Sequence, residues 1–421
     1  MSDTDRRRKL RPEDVRYLAL EGGGGKGHAY LGAIEALEEL GVMNQVKGYA
    51  GASAGAITAL MLATGMRSAK IRAYMETTDF DAFFDPPEPR GRPEAGTGGR
   101  LVEPQWTQKE KNLLLFFDVA KPLLNKIAAV VADAVAPELV AEVTSKRDRQ
   151  PFKALLENWP RYLTFLGRDM GLFEGAEARR AWDRLLTARL QSRVYAPNAH
   201  NLTFREHERH FGTVLLMTGS NLSTGRTEIF SAEHTPHFPV ADAVRISMSL
   251  PFIYKPYVID GNRPGWPPCG TYVDGGLWNN LPFREFDEGP DPQSAAPPAS
   301  AAAPAPVTGV TPRTLALRLT IDAPLRVRNL GGLLKRAGML GLFGTGESQV
   351  LSTYTNQTVL LDTEGLDLVD FTPPKEAKEL AVKRARRAVY RYFDRPVLPK
   401  DEDPADDAEV EARWRDSRAC G

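Results

Sequence analysis

VRYLALEGGGGKGHAYLGAIEALEELGVMNQVKGYAGASAGAITAL, residues Val15 to Leu60, is the stretch whose reading decides the fold. Val15 to Leu20, apolar apart from Arg16, reads as a buried strand, followed after Glu21 by a glycine loop. From about Gly27 to Leu40 the residues Tyr30, Leu31, Ile34, Leu37 and Leu40 recur at helical spacing, and Gly41 supplies a C-terminal stop. Lys47 to Gly51 reads as a second short strand and Ala54 to Leu62 as a second helix. Strand, loop, helix, strand, sharp turn, helix is how a parallel α/β sheet begins.

Downstream, Thr213 to Thr218 and Thr227 to Phe230 read as further strands across a turn at Gly219 to Gly225. Val240 to Ser247 reads as helical, Phe252 to Ile259 as extended, and Thr314 to Thr320 resumes the sheet. Between the two blocks of strands, about residues 79–195, the chain is first rich in Pro and Gly and then apolar and helical, at Leu113 to Phe117 and Ile127 to Val135. This is read as a helical insertion, either packing on the core or covering a site as a lid. The cluster Leu113 to Phe117 is read as core before a segment dipping into a lipid interface. An Ala/Pro-rich loop follows at about residues 288–312. Glu376 to Phe393 reads as a basic helix whose arginines form a solvated face, and the acidic tail, residues 399–421, reads as disordered. Residues 1–14 form a charged leader, which makes residues 15–398 one domain.

Composition excludes several classes of function. Lys plus Arg and Asp plus Glu both number 54 in 421 residues, so no overall field draws the chain to nucleic acid, and any membrane contact must be local and peripheral. Two cysteines, Cys269 and Cys420, offer neither a disulfide framework nor a metal-ligand spacing. Arg6, Arg7, Arg8 and Lys9 are followed by Arg11, Pro12, Glu13 and Asp14 instead of an apolar segment, so no signal peptide is expected. Nor is a transmembrane helix, and the expected location is cytoplasmic, with peripheral membrane contact left open.

Three constellations carry chemistry. Gly51-Ala52-Ser53-Ala54-Gly55 is a G-x-S-x-G sequence between a strand and a helix. A nucleophilic serine there sits on a strained turn that tolerates only small neighbours, with a helix N-terminus beside the developing charge. Alone the motif is only moderately specific. Glu21-Gly22-Gly23-Gly24-Gly25-Lys26-Gly27 can turn several backbone N–H groups into one concavity, suited to an oxyanion or a phosphate. It also satisfies G-x-G-x-x-G, but the end of the second strand carries the Ser53 turn where a dinucleotide site wants an acidic residue. Lys26 could meet a lipid phosphate, against the plainer reading of a solvated lysine. His28 reads as a packing or surface residue.

The third constellation is Val273-Asp274-Gly275-Gly276. Asp-Gly is by itself a common turn, but Ser53 needs a base. All six histidines, His28, His200, His207, His210, His234 and His237, precede Asp274, so the order Ser, acid, His cannot use Asp274 as its acid. A triad of an earlier acid with a later histidine stays open. Direct pairing of Ser53 with Asp274 is simpler.

With these three motifs in this order, the chain resembles the patatin-like phospholipase family. That family has an acidic-Gly-Gly-Gly-x-basic-Gly loop, a G-x-S-x-G serine and a D-G-G/A aspartate. The run with Arg245, Ser247, Ser249, Pro251 and Phe252 is also similar to its segment ahead of the aspartate. The resemblance covers about Tyr17 to Phe283. It implies a three-layer α/β/α fold around a mainly parallel sheet and a Ser-Asp dyad of Ser53 and Asp274. It also implies an oxyanion hole at Gly23, Gly24 and Gly25, framed by the motif glycines Gly22, Gly27, Gly51, Gly55, Gly275 and Gly276. Neither cofactor nor metal is then required. The implied substrate is a phospholipid or another acyl lipid, cleaved through an acyl-enzyme. A thioesterase or transacylase would use the same groups, and a partner-binding protein could retain the fold. Oligomeric state is not addressed by any of these features.

Overall fold

Strands β1 (Tyr17–Leu20) and β2 (Gly48–Gly51) pair in parallel, Tyr17 with Gly48 through Leu20 with Gly51. β2 is buried along its whole length and β1 from Leu18 onward, which is why both are short continuous runs without polar alternation. The structure, a computed structural model, describes residues 9–85, 170–286, 313–319, 355–366, 370 and 372–419. On one side of β1 lie β9 (Thr314–Leu319) and then β10 (Thr358–Leu361), both parallel. On the far side of β2 lies β4 (Val214–Asn221), parallel through Met217. Beyond that point β4 takes antiparallel partners, β5 (Arg226–Phe230) and β8 (Gly270–Asp274), and β8 carries β7 (Tyr257–Ile259). The sheet order among the described residues is β10-β9-β1-β2-β4-β8-β7, with β5 on β4. A separate parallel pair joins β3 (Gly171–Phe173) to β6 (Phe252–Tyr254). The molecule is therefore a mixed α/β protein with a mainly parallel central sheet.

Helices complete the core. The first helix begins tighter than the sequence suggests, as a 3₁₀ turn over Gly24–Ala29 that passes into α1 (Tyr30–Glu39). Helix α2 (Ala54–Ala63) is apolar on every side and buried almost throughout, packed on β1, β2 and β4. It is followed by α3 (Ser68–Thr77). Helix α4 (Ala176–Gln191) seats Trp182 in the core beside Phe83. Helices α5 (Phe204–Phe211) and α6 (Val240–Ser247) flank β4. Helix α7 (Lys375–Tyr392) crosses α1 so closely that a methyl on Gly32 would lie 2.0 Å from the Val382 carbonyl oxygen.

Residues 86–169, most of the expected insertion and both of its apolar clusters, lie outside the described residues, as do residues 287–312 with the Ala/Pro-rich loop. The two ends of the first gap are tied together. The Asp85 carboxylate accepts the amides of Gly175 (2.6 Å), Ala176 (3.0 Å) and Glu177 (3.2 Å), satisfying the first turn of α4 from a residue far back in the chain. The Asp85 carbonyl also accepts the Glu174 amide at 2.9 Å.

Two expectations fail at the C-terminus. Residues 404–419 are helix α8 and not a disordered tail, and of the four arginines of α7 only Arg391 lies on a solvated face. Arg384, Arg386 and Arg387 are buried. Asp406 takes both Arg384 and Arg387, Asp407 pairs with Arg387 at 2.9 Å, and Asp401 meets Arg386 at 2.9 Å. Glu35 (3.0 Å) and Glu39 (2.8 Å), both on α1, complete the shell of Arg386. Composition reads such charges as solvated because it cannot see that the basic residues of one helix face the acids of four other segments.

Candidate active site

Ser53 stands between β2 and α2 with φ 49 and ψ −121, a conformation that costs a non-glycine residue strain and that persists only where the surroundings enforce it. The enforcement is visible on both sides. A methyl on Gly51 would lie 2.3 Å from the Gly55 backbone, and one on Gly55 would lie 2.2 Å from the Leu20 carbonyl oxygen, so β1, the turn and α2 approach as closely as bare backbone allows. The Ser53 amide donates to Ser247 Oγ at 3.0 Å, and the serine is 3% exposed.

The glycine loop lies against this turn. A methyl on Gly22 would lie 3.1 Å from Ser53 Cβ, and one on Gly27 would lie 3.0 Å from Ala54 Cβ. Gly24 takes φ 51, in the left-handed region, which lets the chain reverse into the 3₁₀ turn. The loop is anchored behind by Glu21. Its carboxylate accepts the Leu319 amide at 2.7 Å and faces Arg318 at 3.6 Å, while its carbonyl accepts the Tyr30 hydroxyl. Burial pushes the Glu21 carboxyl up to about 7, against the opposing pull of Arg318, Leu319, Asn280 and Lys26. Lys26 is itself buried, which corrects the reading of a solvated lysine.

Asp274 ends β8 beside Gly219 of β4 and is 1% exposed. Its Oδ1 accepts the Gly276 amide at 2.7 Å. Its Oδ2 has no full hydrogen bond, although the Ser53 hydroxyl is near enough to act on the carboxyl. Burial raises this group to about 7, with Gly276 and then Ser53 pulling it back. No histidine is among the groups that act on it. His207, the one deeply buried histidine among the described residues, stacks on Phe211 and is pushed down to about 3 by burial, so it is neutral there. The glycines after Asp274 are set by contact: a methyl on Gly275 would lie 2.2 Å from Thr218 Oγ1, and one on Gly276 would lie 2.5 Å from Asn280 Oδ1.

Sequence reasoning named the segment from Arg245 to Phe252 without giving it work. Its work is to hold both candidate residues: Ser247 takes the Ser53 amide, and the Ser249 carbonyl takes the Asp274 amide at 2.9 Å. The buried Arg245 guanidinium fixes that segment by donating to Ser249 Oγ and to the carbonyls of Glu174 and Lys255. Asn280 went unremarked. Its side-chain Nδ2 donates to the Gly22 carbonyl at 3.1 Å, and its main-chain carbonyl accepts the Gly22 amide at 2.9 Å. Nothing in the sequence flags it beyond its place four residues after Gly276.

Beside the loop runs a narrow apolar cleft lined by Gly24, Gly27, Ala54, Met61, Tyr74 and Trp182, with free space of about 40 Å³, little more than one water needs. A shallow groove of about 720 Å³ near Tyr390 and Leu398 contains none of the motif residues. Among the described residues no grouping of three or more His, Cys, Asp or Glu could hold a metal ion, and no helix is long and apolar enough to cross a membrane.

Comparison with known proteins adds three kinds of finding. The Patatin-like phospholipase family model matches residues 18–287. The chain is 47% identical over 371 residues to the uncharacterized protein YqhO of Bacillus subtilis (strain 168), covering 87% of this chain and 94% of that protein. It is 30% identical over 85 residues to the probable lipid hydrolase 463L of Invertebrate iridescent virus 6, covering 20% of this chain and 27% of the viral protein. It is 24% identical over 282 residues to the uncharacterized protein R571 of Acanthamoeba polyphaga mimivirus, with 67% and 64% covered, so the chain spans less than two thirds of either viral relative. Among solved structures it is similar to VipD from Legionella pneumophila, at 18% identity and TM-score 0.44, with 90% of this chain and 67% of that one covered. It is also similar to full-length ExoU of Pseudomonas aeruginosa in complex with SpcU, at 20% identity and TM-score 0.39, with 98% and 60% covered.

Proposed function

The chain belongs to the patatin-like phospholipase family, and on that premise we propose that it cleaves fatty acyl esters of lipids of the phospholipase A or lysophospholipase type through Ser53 and Asp274. The observation that carries this reading is the state of Asp274. It is a buried carboxyl with one oxygen fixed by Gly276 and the other left without a hydrogen bond beside the Ser53 hydroxyl.

Each step follows from these groups. An ordinary aspartate, near 3.8, is a weak base for a serine hydroxyl; burial that raises Asp274 to about 7 gives it the proton affinity the task needs at neutral pH. Asp274 takes the Ser53 proton as Ser53 Oγ attacks the ester carbonyl, and the amides of Gly23, Gly24 and Gly25 receive the charge on the carbonyl oxygen. The alcohol or lysolipid leaves with the proton. Water, deprotonated by Asp274, then releases the fatty acid from Ser53. The apolar cleft between the loop, α2 and Trp182 suits an acyl chain, which would part Tyr74 and its neighbours on entry. Lys26, buried and acting on Glu21, is better suited to holding the loop than to meeting a headgroup.

The test is labelling of wild type, Ser53→Ala and Asp274→Asn with a fluorophosphonate, alongside hydrolysis of phosphatidylcholine vesicles, lysophosphatidylcholine and an acyl thioester. Ser53-dependent labelling with ester hydrolysis lost in both variants is the expected result. Hydrolysis surviving Ser53→Ala would sink the proposal, and preference for the thioester would move the substrate class.

A further inference from the structure

Phe252 breaks the rule of its own turn. The Ile253 amide donates to the Leu250 carbonyl at 3.1 Å, closing a four-residue turn with Pro251 and Phe252 at its centre, and Phe252 takes φ 68. Proline in the second place and a positive φ in the third is the pattern of a type II turn, whose third place calls for glycine or asparagine. An aromatic residue there is strained, and strain of this kind clusters where it serves a function. Packing does not account for it, because the side chain is 66% exposed.

The turn is held from both ends. Leu250 and Tyr254 are buried on either side of it, and the Arg245 guanidinium donates to Ser249 Oγ before the turn and to the Lys255 carbonyl after it. The same guanidinium reaches the Glu174 carbonyl, just past β3. Gly171 of β3 pairs with Phe252 of β6, and Met170, immediately before it, repeats the anomaly with φ 61 and a side chain 54% exposed. Single apolar residues on a surface are ordinary. Two strained ones at paired strands, both open to solvent, are not. They also stand by the site, since the Ser249 carbonyl holds the Asp274 amide and the three residues of chain from Ser249 to Phe252 span at most about 10 Å.

We propose that Phe252 and Met170 are the chain's anchor in the surface of a phospholipid bilayer, setting the frame of Ser53 and Asp274 against the lipids it acts on. For its substrate this rests on the Ser53–Asp274 reading above, and it adds where that substrate is met. The chain has 54 basic and 54 acidic residues, so no net charge draws it to a membrane, and attachment has to come from apolar side chains inserting locally. The nearby charges of Lys255 and Glu174 neutralise each other at 3.2 Å, so neither enters the interface unpaired. A turn clamped by Arg245 also keeps what Phe252 touches at a fixed place relative to Asp274.

Sedimentation with phosphatidylcholine vesicles at subsaturating lipid measures the anchor, with Ser53→Ala as the parent protein so that the vesicles are not consumed. The parent should bind equally at low and high salt. Adding Phe252→Gly should weaken binding roughly 10- to 100-fold, the effect of withdrawing one large apolar side chain. Met170→Ser should weaken it further, and Phe252→Trp should keep it. Glycine is what the turn asks for, so Phe252→Gly should also raise Tm, which separates lost binding from lost fold. With Ser53 intact, Phe252→Gly should slow hydrolysis of the vesicles in the same proportion and leave soluble p-nitrophenyl butyrate at the wild-type rate. Binding absent from the parent, unchanged by Phe252→Gly or abolished by salt would overturn the proposal. So would an equal loss on both esters, which would make Phe252 part of the catalytic frame. Light scattering that shows a dimer in wild type and a monomer in Phe252→Gly would overturn it too, giving the pair to a second copy of the chain. A wild type inert on both esters would overturn the Ser53–Asp274 reading, with sedimentation still deciding the anchor.

Discussion

Two of the places where the described residues bury charge treat it in opposite ways. Under α7 and α8, every buried arginine meets carboxylates: Arg384 and Arg387 share Asp406, and Arg386 is ringed by Asp401, Glu35 and Glu39. Burial pushes Asp406 up, but Arg384 and Arg387 outweigh it and hold its carboxyl below the ordinary range. At the glycine loop, Asp274 has a hydrogen bond on one oxygen only, and Glu21 has Arg318 at 3.6 Å with a weaker pull from Lys26, so burial wins and both rise to about 7. The first arrangement spends charge on holding the fold. The second keeps charge poised to change, at a cost in stability that the close-packed turn around Ser53 has to carry.

The largest test of this contrast removes the poised charge. Asp274→Asn should lower turnover by roughly 100- to 10,000-fold, the usual contribution of a general base, with circular dichroism unchanged. Loss of fold in this variant would mean that Asp274 belongs with the structural charges after all. Next comes Asp406→Ala, which strands two buried guanidinium groups and should destabilise by roughly 3–5 kcal/mol in urea titration, while turnover per folded molecule stays near wild type. A loss below about 1 kcal/mol would show the network to be solvated.

The two regions should also answer pH with opposite signs. In the folded state Asp274 binds its proton more tightly than the ordinary 3.8, so between about 4 and 7 the folded state holds more protons than the unfolded one and stability falls as pH rises, levelling off above about 7. Activity runs the other way, with kcat/KM climbing through about 7 as the base ionises. Asp274→Asn cannot ionise, so its Tm should equal or exceed wild type at pH 8, by roughly 2–4 °C per kcal/mol, with the gap closing toward pH 5. Asp406, held low, contributes stability that is present near neutrality and lost as pH falls through its folded value. The smallest effect expected is at the surface: Lys9→Ala breaks the exposed pair with Asp394, at 3.0 Å, and should change stability by less than about 1 kcal/mol. A larger change would mean that the N-terminal segment is pinned there.

What could be read from the sequence follows the same division. The opening strand, loop, helix and serine turn were legible because each depends mostly on neighbours within a few residues: Gly51 is small because a side chain there would strike the Gly55 backbone four residues on. The first turn was misjudged only in being 3₁₀ over Gly24–Ala29. Asn280 was not legible, because its role depends on Gly22, 258 residues earlier. The arginines of α7 were misread for the same reason. Basic residues on a helix resemble a solvated face until the segments carrying Glu35, Asp401 and Asp406 are placed around them. Local chemistry is written locally, and the matching of charges across the fold is not.

The Asp85 clasp bears on how such a protein can change over generations. Because the chain leaves at Asp85 and returns at Glu174 to Glu177 through one set of hydrogen bonds, whatever is threaded between them hangs from a closed ring. Doubling the length of such a ring costs only about 0.6 kcal/mol. The register of the strands that seat Ser53 and Asp274 is thereby set with little regard to how much chain separates Asp85 from Glu174, which frees that length to vary between descendants of one ancestor.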